Sequence, residues 1–350
     1  MPTWLIWSST RPLRRWRLFG LLLVAIALAP GTWVRPPPDW RFGDDRQILI
    51  LDRLRVPADR VGEVEVAGAW ALRSTNRFFG GYSALLAMDD GTLLAVTDGS
   101  RKMRLRPPGS GPPAVEFGYF ATLTQAQEED KRLVDLEGAT RDPASGRFWA
   151  SYEATNQIER YDADLAPTGR VRPPEMRGWS SNTGAESIVR LADGRFAVLS
   201  EGNPRWFAAG FPALLFADDP VEGTRPERFS FRAPAGFRPV DMAPLPDGRV
   251  VILLRTVHWG LPPRFEGKLL VADPAEIRPG VAWTGRIIAD LAAPLPMDNY
   301  EGIAVEPGAD GELVLWLIAD DNHAKFQRTL LLKLVWRPDE KARGRARAPR

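Results

Sequence analysis

The sequence predicts an all-β fold, a single β-propeller of five or six blades. Glycine and proline are abundant, with 31 and 32 in 350 residues, which favours many turns over long helices. A pair of short apolar stretches around a glycine-containing turn also occurs five times along the chain. The repeats follow one another at 49 to 60 residues, measured between the residues that head their first strands. Periods of roughly 40–50 residues or more are typical of propeller blades.

Each repeat reads as a β-hairpin. A short apolar strand leads to an Asp-Gly or similar turn, and a second strand rich in Val, Leu, Phe or Trp follows. The turn glycines suit hairpin turns that need positive φ. The repeats lie at 80–99, 135–162, 182–202, 239–256 and 298–321.

Ring closure is also visible in the sequence. Strand candidates at 47–54 and 61–72 precede the first repeat, and another at 329–336 follows the last. If the N-terminal strands complete the last blade, five repeats make five blades. A sixth blade would need a degenerate repeat, for which 203–235 is the available segment.

The N-terminus reads as a targeting element. A basic segment precedes an apolar run of 12 residues, Leu18–Ala29, which is short for a membrane span and suits a signal-peptide core. We therefore expect residues 1–35 to be a signal peptide or a membrane anchor, with anchoring to the inner membrane through residues 16–34 as the second alternative. The propeller would occupy 36–336 and lie in the periplasm or outside the cell. Residues 337–350 would form a disordered basic tail.

Composition excludes several classes of site and partner. The chain has no cysteine, so disulfides, thiolate metal sites and cysteine nucleophiles are ruled out. The net charge is +2 overall, with +5 in residues 1–35 and +4 in residues 337–350, so the body between them carries −7. An acidic body does not favour nucleic-acid binding. We expect a monomer that acts on a small molecule, with no organic cofactor.

The residue that heads the first strand of each repeat is the main functional signal. In a propeller these strands line the central channel, so their heads converge at one mouth. Carboxylates at such range repel each other, and a divalent cation would relieve the repulsion. Oxygen ligands favour Ca²⁺, Mg²⁺ or Mn²⁺. The heads are Ser83, Glu137, Glu186, Asp241 and Glu301.

The predicted metal ligands are the four acids at the strand heads and Asp321, from the pair of aspartates that ends the last repeat. The alternative for each acid is a structural role, in which its side chain accepts backbone N–H bonds at a blade junction. The sequence leaves both readings open.

Four segments carry a family resemblance. "GGYSALLAMDDGTLLAVTDGSRKMRLR", "DLEGATRDPASGRFWASYE", "NTGAESI" with "DGRFAVLSEG", and "DNYEGIAVEPGADGELVLWLIADDNHAKFQRTLLLKL" resemble the signature blocks of the esterase-like-activity-of-phytase family. The similarity spans about Phe78 to Val335, and the last block is the most specific. It implies an exported bacterial propeller that hydrolyses phosphoesters or esters. Carried over by motif, the positions are Ser83, Asp98, Glu137, Glu186, Glu301, Asp320, Asp321, Asn322 and Gln327.

The sequence departs from the family pattern at two places. Thr97–Arg101 stands where a Ser-Asp-Arg-Gly turn is expected, so the arginine is displaced. Ala185–Ser187 replaces the usual aromatic-Glu-Gly. Both departures concern the geometry of the site, because neither disturbs the repeat pattern that predicts the fold.

Two enzymatic mechanisms and one non-catalytic role follow. In metal-assisted hydrolysis, Glu301 and Glu186 act at the cation, while Arg101, Asn322 and Gln327 bind the substrate. In the second mechanism Ser83 is an esterase nucleophile and His258 its base, although no G-x-S-x-G motif is present. The alternative to both is a non-catalytic ligand-binding or scaffold propeller in the periplasm, because fold does not settle function.

Overall fold

Five sheets surround one axis in the computed structural model, which describes residues 16–24, 44–124, 127, 130–202, 210–260, 262–324 and 326–338. The strands in chain order are β1 (Ile50–Arg53), β2 (Arg60–Val61), β3 (Val64–Arg73), β4 (Tyr82–Ala87), β5 (Leu93–Thr97), β6 (Arg101–Leu105), β7 (Val115–Tyr119), β8 (Leu136–Arg141), β9 (Phe148–Tyr152), β10 (Gln157–Tyr161), β11 (Pro167–Val171), β12 (Ala185–Arg190), β13 (Phe196–Ser200), β14 (Phe211–Phe216), β15 (Glu227–Phe231), β16 (Arg238–Pro244), β17 (Val250–His258), β18 (Arg264–Ala272), β19 (Ala282–Trp283), β20 (Arg286–Leu291), β21 (Asn299–Pro307), β22 (Leu313–Asp320) and β23 (Leu330–Trp336). Short 3₁₀ turns lie at Lys131–Leu133, Pro174–Met176, Pro220–Glu222, Pro274–Glu276 and Ala309–Gly311.

Each sheet is one blade, which confirms the predicted propeller and sets the number of blades at five. Blade 1 is β4 to β7, blade 2 is β8 to β11, and blade 3 is β12 to β15 with β19 added in parallel at its outer edge. Blade 4 consists of β16, β17, β18 and β20. The segment proposed for a sixth repeat instead supplies β14 and β15 to blade 3.

Blade 5 closes the ring with strands from both ends of the chain. The C-terminal strands β21, β22 and β23 pair in order, and β3 and β1 from the N-terminal side extend the same sheet. The first strands of the five blades, β4, β8, β12, β16 and β21, contact one another in turn around the axis. The positions at their ends therefore meet in space although they are far apart in the sequence.

The second strand of each blade is buried on both of its faces because it is packed between neighbouring blades. Every residue of β5, β9 and β13 is buried, which explains their continuous apolar runs. Aromatic side chains fill the space between blades 2 and 3, where the rings of Trp149 and Phe196 are 4.8 Å apart. The blades are thus held together by side-chain packing.

The N-terminal helix covers residues 16–24. Within the described residues, no helix combines the length and apolar character needed to cross a membrane. The remainder of the expected leader, 1–15 and 25–35, lies outside the described residues, as does most of the expected tail. Export, anchoring and the domain limits at residues 35 and 336 stay predictions.

Candidate functional site

A β-bulge at the same position in each inner strand builds the first layer of the site. In every blade the pairing between the first and second strands shifts by one residue near the same end. The extra residue is left out of the ladder. These residues, here called the bulge ring, are Ser83, Glu137, Glu186, Val240 and Glu301.

The position predicted for Asp241 was wrong by one residue. Val240 is the bulged residue of blade 4, and Asp241 returns to the ladder opposite Leu253. Its side chain is only 1% exposed. Its two carboxylate oxygens accept the backbone N–H groups of Met242 and Ile303, each at 2.8 Å. Asp241 therefore ties β16 to β21, which is the structural alternative that the sequence had left open.

The residues that follow the bulge in the other four blades are small, and they lie where the first strands approach one another closely. A Cβ atom added at Gly302 would lie 2.8 Å from the backbone nitrogen of Leu85, so only glycine fits there. Burial raises the pKa of Asp241 well above its usual range, while the N–H groups of Ile303, Met242 and Leu85 oppose this shift. The residues at the equivalent place in the other blades are Ala84, Gly138, Ser187 and Gly302.

The mouth ends of the second strands build the second layer of the site. In each blade, one residue of the second strand pairs with the residue just before the bulge. The residue that follows it in the chain lies at the mouth. Four of these residues are acids, and blade 4 has an arginine in the same place. The set, here called the strand-end ring, is Asp98, Glu153, Glu201, Arg255 and Asp320.

The two rings concentrate negative charge at one mouth. Burial raises the pKa of Glu137 well above its ordinary value, and the carboxylates of Glu301 and Asp98 raise it further. Burial likewise raises the pKa of Glu186, with Glu137 and Glu201 adding to the shift. Burial also raises the pKa of Asp320, and the carboxylates of Glu301 and Asp98 add to that shift. These acids lie close enough to oppose one another's ionisation.

Three acids of blade 2 form a group that could hold a metal ion. Asp135, Glu137 and Glu153 each offer a carboxylate oxygen, and these oxygens lie within 4.8 Å of one another. Burial is the main cause that raises the pKa of Glu153 to about 7, and Asp135 adds to it. A donor set made only of carboxylate oxygens suits Ca²⁺, Mg²⁺ or Mn²⁺.

Arg255 neutralises the opposite side of the mouth. Its guanidinium pairs with Glu301 and with Glu201, the latter at 2.6 Å, and donates to Asn299 at 2.7 Å. Burial lowers the pKa of Arg255, but the carboxylates of Glu301 and Glu201 more than offset this and leave it raised. Glu301, predicted as a catalytic residue and metal ligand, lies at the mouth, but its carboxylate is paired with the guanidinium of Arg255.

Of the two histidines, His323 lies beside the mouth and His258 does not. The imidazole of His323 packs on Gly80 and Gly81, whose φ values of +97° and +74° suit glycine. A Cβ atom at Gly81 would lie 3.2 Å from His323 Nε2 and 3.3 Å from Asp98 Oδ1, so both groups flank this glycine. Asp321 Oδ1 accepts the backbone N–H of His323 at 3.1 Å.

His258, the predicted base, lies three residues beyond Arg255 on β17, about 10 Å along the strand. Its Nε2 is 3.4 Å from Glu266 of the neighbouring strand. Ser83, its predicted nucleophilic partner, is in the bulge ring and only 3% exposed. The structure therefore does not bring this serine and histidine together as a catalytic pair.

The predicted substrate-binding residues flank the mouth. Arg101 lies near Asp98, whose carboxylate partly offsets the lowering of the Arg101 pKa by burial. Asn322 and Gln327 line a cavity of about 480 Å³ together with Arg255 and Asn299. Asp321, predicted as a metal ligand, is buried beneath Gly80 beside His323.

Sequence reasoning missed four charged residues of the mouth, although a spacing in the sequence could have found three of them. Asp98, Glu153, Glu201 and Arg255 each stand seven residues after a turn glycine, at 91, 146, 194 and 248. Family resemblance supplied only the first of these. The missed residues are Asp135, Glu153, Glu201 and Arg255.

The chain was compared with known proteins. The family model "Phytase-like: Esterase-like activity of phytase" matches residues 77–323, in agreement with the resemblance seen in the sequence. A search of curated proteins found no match.

Three of the solved structures that are similar to the chain are distant from it in sequence. An exo-1,5-alpha-L-arabinanase from a bovine ruminal metagenomic library matches at 12% identity over 83% of this chain and 98% of that one, with a TM-score of 0.48. A hypothetical protein from Leishmania major matches at 13% identity over 89% and 94%, with a TM-score of 0.40. Kuenenia stuttgartiensis hydrazine synthase matches at 11% identity over 75% of this chain and 64% of that one, under two thirds of its length, with a TM-score of 0.38. We draw no functional conclusion from these three matches.

Proposed function

The chain belongs to the phytase-like family described as esterase-like activity of phytase, and from this membership and the geometry of the mouth we propose that it hydrolyses phosphoesters or carboxylesters with a divalent cation. The proposal rests on one observation, that negative and positive side chains lie on different blades of the mouth. Three acids of blade 2 lie within reach of one ion, while blade 4 has arginine at two of the three corresponding positions. Acids and arginines on facing sides suit an anionic substrate that contacts both a cation and a guanidinium.

Asp135, Glu137 and Glu153 would hold the cation, with Glu186 as their neighbour. The raised pKa values of Glu137 and Glu153 support this, because they reflect the burial of two carboxylates beside other negative groups. A bound divalent cation would polarise a phosphoryl or carbonyl oxygen and lower the pKa of a water molecule. The finer assignment of Ca²⁺, Mg²⁺ or Mn²⁺ rests on the carboxylate donors.

Arg255 and Arg238 would receive the anionic part of the substrate. Arg255 is held in place by Glu201, Glu301 and Asn299, so its position does not depend on a ligand. Arg238, opposite Arg255 in the ladder, is more exposed and lies 3.7 Å from Glu201. A guanidinium that faces solvent can exchange a distant carboxylate for a phosphate oxygen.

His323 is the candidate for proton transfer to the leaving group. Its Nε2 atom and the carboxylate of Asp98 both flank Gly81 at the mouth, while Asp321 accepts a hydrogen bond from the backbone N–H of His323. An imidazole suits this role because one ring nitrogen can donate a proton while the other accepts one. His323 therefore replaces His258 in the mechanism that we propose.

We further propose that the protein is exported and acts as a monomer on small molecules. The basic segment and apolar run of residues 1–35 support export, as a cleaved signal or a retained anchor. Cell fractionation with N-terminal sequencing of the mature protein tests this. Recovery of the intact chain in the cytoplasm would contradict it.

The decisive experiment combines metal binding with turnover. The protein would be titrated with Ca²⁺, Mg²⁺ and Mn²⁺ by calorimetry and assayed on 4-nitrophenyl phosphate and 4-nitrophenyl acetate. We expect cation-dependent hydrolysis, with Glu137→Gln lowering cation affinity by at least about tenfold because one charged ligand is lost. Glu116→Gln is the matched control, since Glu116 is an exposed acid of β7 that pairs with Lys102.

Two outcomes would contradict the proposal. Unchanged cation affinity in Glu137→Gln would remove blade 2 as the metal site. Cation binding with no hydrolysis of either ester, in a folded protein, would instead favour the non-catalytic ligand-binding propeller.

A further inference from the structure

A groove leads from the mouth outward over blades 4 and 5. It consists of the cavity of about 480 Å³ already described and a second cavity of about 510 Å³. Both cavities are lined by Pro263, Phe265 and Gln327, so they adjoin along these residues. The groove therefore continues the mouth away from the axis.

The inner end of the groove is polar. Arg255, Asn299 and Asn322 line it, and Arg238 reaches it from the opposite strand. This end borders the bulge ring through the pairing of Arg255 with Glu301. A ligand bound here would have its anionic group beside the acids of the mouth.

The outer part of the groove is rich in apolar surface. Trp259 is 90% exposed and Phe326 is 40% exposed, and Phe265 and two prolines lie along the same cavities. The other large hydrophobic side chains exposed in the described blades are aliphatic and lie elsewhere, as Ile50 does on the outermost strand of blade 5. Exposed aromatic side chains gathered at a concave surface indicate a binding site.

Cationic groups accompany this apolar surface. Arg264 lines the outer cavity and makes no ion pair within the described part of the chain. Arg328 lines it too and lies 3.6 Å from Asp298. The acids Glu266 and Asp298 line the same cavity, so the arginines of the outer groove lie in a surface of mixed charge.

We propose that this groove binds one phosphoester molecule whose alcohol part is an extended apolar chain. The phosphate lies at Arg255 and Arg238, and the chain runs past Phe265 towards Trp259 and Phe326. This inference rests on the proposed function and specifies the substrate class.

Charge and shape favour such a molecule over two alternatives. A compact polyphosphate would place several negative groups near Glu201, Glu301 and Asp320, whereas Arg238 and Arg255 line the groove side of the mouth. A bilayer surface would need a broad apolar face, but the exposed aromatic residues of the described blades line a concave groove. A single chain with one phosphate end matches the polar inner end and the apolar outer part.

The test compares two ligands that cannot be hydrolysed. Calorimetry would measure binding of decylphosphonate, below its micelle concentration, and of methylphosphonate. We expect decylphosphonate to bind at least about tenfold more tightly, because part of its chain leaves water. The double variant Trp259→Ala with Phe326→Ala should lose most of this difference and leave methylphosphonate binding unchanged. Ile50→Ala, which removes an exposed aliphatic side chain far from the groove, is the matched control.

Three results would overturn the inference: equal affinity for the two phosphonates, a difference that survives the double variant, or tighter binding of inositol hexakisphosphate than of decylphosphonate. Binding to zwitterionic lipid vesicles that the double variant abolishes, without binding of the monomeric ligand, would replace the groove with a membrane surface. Because binding is measured without turnover, this test can fail while the hydrolase proposal stands. The hydrolase proposal can equally fail while the groove binds its ligand.

Discussion

Blades 2 and 4 share one backbone arrangement at the mouth and carry opposite charges. In both blades the first strand has a bulge near the mouth, and the second strand pairs with it in the antiparallel direction and brings a charged residue beside the bulge. Blade 2 fills the three positions with Asp135, Glu137 and Glu153, and blade 4 fills them with Arg238, Val240 and Arg255. The repeated backbone places equivalent residues of every blade at the mouth. The mouth is nevertheless asymmetric in charge, because blade 4 has arginines at two of the three positions where blade 2 has acids.

The two blades also differ in how their charges are compensated. In blade 4, Arg255 is surrounded by carboxylates that stabilise its charge. In blade 2, burial and the neighbouring acids raise the pKa values of Glu137 and Glu153. A cation bound at blade 2 would therefore gain most from the charges already present, and three experiments test this difference.

The largest expected effect is that of Arg255→Met. Removal of the guanidinium leaves Glu201 and Glu301 without their shared cation, so we expect a loss of about 3–5 kcal/mol in the free energy of unfolding. Urea denaturation followed by circular dichroism measures it. Arg238→Met is the control and should cost less than about 1 kcal/mol, because Arg238 is half-exposed and 3.7 Å from Glu201. Equal losses in the two variants would refute the role assigned to Arg255.

Asp241→Asn should have an intermediate effect confined to stability. An amide in place of one carboxylate oxygen turns an acceptor into a donor beside the N–H groups of Met242 or Ile303. We expect a loss of about 1–3 kcal/mol in the free energy of unfolding. Cation affinity, measured by calorimetry, should not change. A marked fall in affinity would return Asp241 to the metal site from which its register excludes it.

The smallest effect is a pH dependence of stability in the cation-free protein. Acids such as Glu137 and Glu153 have raised pKa values in the folded state, so the folded protein holds their protons more tightly than the unfolded chain does. Stability from this source is present below their unfolded pKa and is lost as the pH rises through the folded pKa. We expect Tm to fall by roughly 5 °C between about pH 5 and about pH 8.

Mn²⁺ should reduce this fall, because it offsets the charge that the acids gain on ionisation. Differential scanning calorimetry with and without Mn²⁺ provides the measurement, and Glu137→Gln should lessen both the slope and the effect of the cation. A Tm that rises over the same pH range in the cation-free protein would show that the blade 2 acids are compensated by other means.

The sequence by itself determined the repeat, its hairpins and the convergence of Glu137, Glu186 and Glu301. These follow from local patterns, since turn glycines and apolar strands recur at a period that a ring of blades explains. Once the strands surround one axis, acids at matching positions must approach one another.

Only the tertiary structure decided the register of blade 4, the pairing of Arg255 and which histidine lies at the mouth. A bulge is a property of two paired strands, so nothing local in the sequence marks Val240 rather than its neighbour Asp241 as the bulged residue. Arg255 meets Glu201 and Glu301 across three blades, and His323 reaches Gly81 only because blade 5 closes against blade 1. These contacts join segments that are distant in the sequence, and they form only when the ring of blades closes. The hydrophobic pattern and the turn residues are local, so they do not specify which individual side chains meet.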